Sequence, residues 1–113
     1  MFTTVDAALR EDPVYGLPRA ALVQRVEALA EHEAAVAAYK TRLIRAIDEL
    51  DDSGLDGRGV LRSHGRVSGK TAHRVARTAH GLAEMPNSEA ALAAGRITLE
   101  HAHTLARAGR EID

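Results

Sequence analysis

"GRVSGKTAHRVARTA", from Gly65 to Ala79, has a gap-free twin in "GRITLEHAHTLARAG", from Gly95 to Gly109. Gly, Arg, Ala, His, Ala and Arg recur at matching places, with Val/Ile, Ser/Thr and Val/Leu as close exchanges. Each copy reads as a glycine turn, a Ser/Thr cap (Ser68, Thr98) and a helix with an apolar face. Ala72, Val75, Ala76, Ala79, Leu82 and Ala83 form that face in the first copy, and Ala102, Leu105 and Ala106 in the second. A short helical piece precedes each turn, "GVLRSH" before Gly65 and "SEAALAA" before Gly95, after the break expected at "MPNS". The unit, used twice, has the helix-turn-helix outline.

The "GKT" inside the first copy resembles the end of a phosphate-binding loop. That loop needs its first glycine five residues before the second, so that enough backbone N–H groups surround the phosphates. Counting back from Gly69, the position is His64. The twin, moreover, carries no Gly-Lys pair, so the shared pattern is not a nucleotide loop.

Upstream, Arg19 to Asp52 contains neither glycine nor proline and is rich in Ala, Leu, Glu and Arg. It reads as one long helix, begun by Pro18 in its first turn. Leu22, Leu29, Val36, Leu43 and Leu50 recur every seven residues. Val26 and Ile47 add the alternate seam position, which Glu33 and Lys40 interrupt, and Val23, Ala30, Ala37 and Ile44 widen the stripe. The stripe packs either on the chain's own helices or on a second copy. A short helix over residues 3–10, ended by "EDP", completes the chain. The expected fold is all-α: a short N-terminal element (1–17), then a helical domain (18–113) with a long helix 19–52, repeat one 58–84 and repeat two 87–109. No strand alternation is present.

The 113 residues suit one domain, and 45% hydrophobic content excludes a disordered tail. Much of that content is alanine, and Phe2, Tyr15 and Tyr39 are the only aromatics, so the core must be thin. Absence of cysteine excludes disulfides and thiolate metal sites and fits a cytoplasmic protein. No signal-peptide pattern opens the sequence, and no apolar run approaches the ~20 residues of a membrane span.

Net charge is −1. Residues 1–57 hold 6 basic and 11 acidic side chains, residues 58–113 hold 9 and 5. Between Arg58 and Ala83 there is no acid, only Arg58, Arg62, Arg66, Lys70, Arg74, Arg77 and three histidines. Such a run points to an anionic partner, or else to a solvated face paired with the acids from Asp48 to Asp56. Lys70 opposes the dipole at the start of its helix, a penalty that a phosphate docked on the nearby amides reverses. Arg62, Arg66, Ser68, Lys70, His73, Arg74 and Arg77 are therefore the candidate contacts to double-stranded DNA. The second copy carries Glu100 at that place, which favours the helix and repels phosphate. Leu22, Leu29, Val36, Leu43 and Leu50 are the candidate dimer interface.

No metal or cofactor site is expected. His101 and His103 face different ways, His73 and His80 lie two turns apart, and His80 with Glu84 lacks a third ligand. No serine elbow or Ser–His–Asp set marks a catalytic centre.

The path from Glu49 to Ala108 resembles the actinobacterial domain of unknown function 222, the thirteen-E-twelve repeat family. The likeness rests on Val60-Leu61 in place of a "WL"-like helix, on "ARTAHGLAEMP" and on "ALAAGRITLEHA". The last of these is also similar, less closely, to part of the ParB partition-protein DNA-binding region. The resemblance implies a helical domain that commonly precedes an HNH endonuclease domain using Zn or Mg. It implies no catalytic residue here, because the general-base histidine, asparagine and ββα metal element of such a nuclease have no counterpart. The chain is then expected to be the N-terminal part of such a protein, either a fragment or a truncated gene product. The expected function is a non-catalytic helical module that touches DNA; the rival is a protein-interaction or dimerisation domain without a nucleic-acid role.

Overall fold

The computed structural model describes residues 1–112 and contains six helices and no strand among them: α1 Thr3–Glu11, α2 Arg19–Asp48, α3 Gly57–Ser63, α4 Gly69–Ala83, α5 Pro86–Ala93 and α6 Leu99–Ala108. No helix is long and apolar enough to cross a membrane. The all-α expectation and the long helix are both found.

Three local expectations are corrected. The long helix ends at Asp48, four residues before Asp52. Its last turn tightens, with the Leu50 N–H donating to the Ile47 carbonyl at 3.1 Å. Asp51 and Asp52 would extend a helix C-terminus that disfavours anions. Asp48 is instead drawn sideways to accept from the Gly57 N–H at 2.6 Å. Second, the break expected at "MPNS" is present but falls at Glu84 and Met85, and the next helix starts before Ser88: Pro86 takes the first position of α5, where its missing N–H costs nothing. Third, Ala83 is exposed, while Thr78, outside the apolar face expected of α4, is fully buried.

The C-terminal half of α2 is the spine on which α3 to α6 pack. Its buried residues are Ala34, Ala38, Thr41 and Ile44; none lies before Ala34. Ala34 and Ala38 meet Leu82, Ala91, Leu92, Ile97 and Ala102, while Ile44 meets Leu61, Ala72, Val75 and Ala79. Alanine at the contacts lets helix backbones come close. The core is thin, as the composition implied.

α4 is the hub. Its four-residue rows split between the spine (Ala72, Val75, Ala79, Leu82) and α6. Along the α6 side Arg74 meets Glu100, Thr78 meets His103, and Gly81 lies against Ala106. These contacts advance together, so α4 and α6 run the same way. A Cβ on Gly81 would sit 2.9 Å from the Ala106 Cβ, a spacing only glycine permits. Arg45 of α2 donates to the Ala79 carbonyl at 3.0 Å and lies 2.7 Å from Glu89, tying the spine to α4 and α5.

α1 lies apart from this core, antiparallel along the N-terminal half of α2. Phe2 meets Tyr39 edge to face at 6.3 Å, and Asp12 pairs with Arg25 at 2.6 Å. No residue of α1 is buried.

Candidate nucleic-acid interface

The acid-free run from Arg58 to Ala83 folds into α3, a tight turn and α4. Asp56 begins α3 by accepting from the Gly59 N–H at 2.8 Å, and Ser68 begins α4 by accepting from the Thr71 N–H at 3.2 Å. The Ser68 cap is legible in the sequence; Asp56 reads there only as one of the acids preceding the basic run. The turn between them works differently from the expectation. Gly65 does not supply the left-handed residue; Arg66 does, with φ 58°. Gly65 is needed because a Cβ there would lie 2.7 Å from the Leu61 carbonyl oxygen.

All seven proposed contact residues are exposed: Arg62, Arg66, Ser68, Lys70, His73, Arg74 and Arg77. Arg62 folds back over the first turn of α4, its Nε 3.6 Å from where a Gly69 Cβ would stand. It borders a shallow depression of about 410 Å³ with Ser63, Val67, Ser68 and Gly69, so the helix N-terminus, the cap and a guanidinium share one patch. Lys70, Arg74 and Arg77 follow at i, i+4 and i+7 along one side of α4.

These cations are not equivalent. Arg74 is paired with Glu100 of α6 at 2.9 Å. Arg58 lies 3.2 Å from His73 Nδ1. Arg62, Arg66, Lys70 and Arg77 have no carboxylate within ion-pair distance among the described residues. Of the upstream acids, Asp48 accepts from Gly57 and pairs with His80 of the run at 2.5 Å, Asp52 and Asp56 accept from local N–H groups, and Asp48 and Asp56 border one depression with Arg58, His73 and Arg77. Burial pushes the Asp48 carboxyl up, but the Gly57 N–H and His80 outweigh it and hold the group below its ordinary value.

The histidines divide by environment. His101 is exposed and His103 is buried, as the spacing required. His103 Nδ1 is 2.5 Å from the Thr78 hydroxyl. Burial, with Arg74 nearby, pushes the His103 pKa down. His80 engages Asp48 and not Glu84. Among the described residues no three His, Asp or Glu side chains are placed to hold a metal ion.

In the second copy, Thr98 accepts from the His101 N–H at 3.1 Å. Neither Glu100 nor Glu111 pairs with Arg107 or Arg110. Glu100 holds Arg74, and Glu111 accepts from the Ser88 N–H and hydroxyl at the start of α5. Of the exposed dimer-candidate residues, Leu22, Leu29, Val36 and Leu43 lie on the side of α2 away from the core, 38–44% exposed, whereas Leu50, 61% exposed, falls beyond the end of α2.

No family model matches the chain, and no curated protein or solved structure matches it.

Proposed function

We propose that this chain is a non-catalytic helical module of an HNH-endonuclease-associated protein of the domain-of-unknown-function-222 type, and that it touches the DNA backbone through the start of α4. The observation that carries the reading is the set of four exposed cations without a carboxylate partner among the described residues: Arg62, Arg66 and Lys70 near the capped N-terminus of α4, and Arg77 two turns along it. A helix N-terminus presents amides and a positive dipole end to phosphate. Lys70, locally unfavourable there, becomes favourable once an anion docks. The near absence of aromatic side chains disfavours base stacking, so duplex backbone is the substrate surface rather than single strands.

Few contacts give weak binding with little sequence preference, in the micromolar range or poorer at physiological salt, on the order of non-specific complexes. Fluorescence anisotropy with labelled duplexes across a salt series tests this. The expected result is binding at low salt to unrelated duplexes alike, with log affinity falling against log salt by about 0.9 for each phosphate contacted. Absence of binding at low salt overturns the reading.

A further inference from the structure

The apolar stripe of α2 finds no partner in the fold. Val26 is 68% exposed, and Leu29, Val36 and Leu43 are each above 40% exposed. The core is reached through Ala34, Ala38 and Thr41, on another side of the helix. α1 does not close the stripe either. It flanks it and leaves a groove of about 730 Å³, lined by Val5, Ala8, Leu9, Val14, Ala28 and Leu29. Leu29 belongs to both groove and stripe.

The order of residues along the stripe says what covers it. Leu29 and Leu43 lie at equal distances on either side of Val36, while Leu50, the counterpart of Leu22 in the sequence, lies beyond the end of the helix. Val26 and Ile47, and Glu33 and Lys40, are likewise symmetric to within one residue, about 1.5 Å of helix rise. Glu33 and Lys40 are the two charges that interrupt the seam, and they have opposite signs. Parallel pairing sets Glu33 against Glu33 and Lys40 against Lys40 across the seam, two like-charge layers. Antiparallel pairing about Val36 sets Glu33 of each copy beside Lys40 of the other and brings together Val36 with Val36, Leu29 with Leu43 and Val26 with Ile47.

We propose that α2 is the seam of an antiparallel homodimer whose two-fold axis passes near Val36, with Leu43 of the second copy seated at the Leu29 end of the α1–α2 groove. The surface is distinct from the basic patch on α4, so the dimer stands or falls independently of DNA contact.

Light scattering of the full chain gives the first test. The expected state at micromolar concentration is a dimer, and Val36→Glu, which buries a charge on the axis twice, weakens it about a hundredfold or more while helical circular dichroism persists. Glu33→Lys alone weakens the dimer, and Glu33→Lys with Lys40→Glu restores it. A parallel seam would be indifferent to the single change. The chain has no cysteine, so introduced thiols are unambiguous. A mixture of Leu29→Cys and Leu43→Cys chains forms a disulfide-linked heterodimer, and neither chain alone links to itself. This second measurement does not depend on the Val36 variant folding. A monomeric wild type overturns the proposal, and so does self-linking of Leu29→Cys without the mixed product.

Discussion

The two repeats share a sequence pattern and differ in what surrounds it. Ser68 and Thr98 cap α4 and α6 in the same way, and Ala72 and Ala102 are both fully buried. The equivalent histidines part company: His73 is exposed beside Arg58, and His103 is buried against Thr78. The turns also differ. In the second copy Gly95 adopts φ 76° and closes α5, with the Arg96 N–H donating to Ala91 and the Gly95 N–H to Leu92. In the first, the left-handed residue has moved one place on, to Arg66. The same local code thus serves two ends. The second repeat is packed against the first and braces it. The first keeps its cationic side open, except at Arg74, which the second repeat's Glu100 occupies. A repeat specifies its own helices; its neighbours decide which face is left to meet a partner.

The largest effect is expected at the contact between the two repeats. Gly81→Leu forces α4 away from Ala106 and should cost about 1–3 kcal/mol by overpacking, measured by urea unfolding. An unchanged midpoint would mean that α4 and α6 do not depend on that close approach. Acidification should follow. The pKa of His103 is depressed in the fold below the ordinary histidine value of 6.5. Between the two values the unfolded chain binds more protons, so this contribution is complete above pH 6.5 and is lost as pH falls toward the folded value. His103→Gln should flatten the stability profile in that window, read by thermal melts from pH 7.5 to 5; an unaltered profile would remove His103 as its source. Next come the caps. Ser68→Ala and Thr98→Ala should each cost about 1 kcal/mol, and nearly equally, because their geometry is the same. A clear inequality would show that the second repeat's cap is reinforced by packing. The smallest effect has the opposite sign. Arg66→Gly removes a side chain from a left-handed position and should stabilise by a few tenths to about 1 kcal/mol, the relief being partly offset by glycine's entropy, while weakening DNA binding. A loss of stability there would mean that the Arg66 side chain supports the turn.

Helical periodicity carried much of this architecture at the sequence level. The glycine-free run marked α2, the Ser/Thr residues marked the starts of α4 and α6, and the wheel of α4 placed Lys70, His73, Arg74 and Arg77 outward. What local pattern could not carry was partnership at long range. The carboxylate of Asp48, at the end of α2, is held by Gly57 and by His80, 32 residues away. Arg74 and Arg77 look alike along the chain, yet one meets Glu100, 26 residues away, and the other has no carboxylate partner among the described residues. Thr78 lies outside the apolar face expected of α4 until α6 arrives to bury it. Pro86 could signal a break or a start, and only the Met85 bend preceding it decides for a start.

Phosphate contact through α4 is tested most directly by anisotropy with one labelled duplex, comparing Lys70→Ala/Arg77→Ala with Arg107→Ala/Arg110→Ala across the same salt series. The first pair removes two cations of α4 that have no carboxylate partner among the described residues. It should weaken binding to every duplex alike and flatten the salt slope by about two units, at roughly 0.9 per phosphate. The second pair should leave the slope nearly unchanged, because Arg107 and Arg110 lie at the C-terminal end of α6, where the helix dipole disfavours phosphate. Equal losses from the two pairs, or no change from the first, would contradict a DNA-contacting surface on α4.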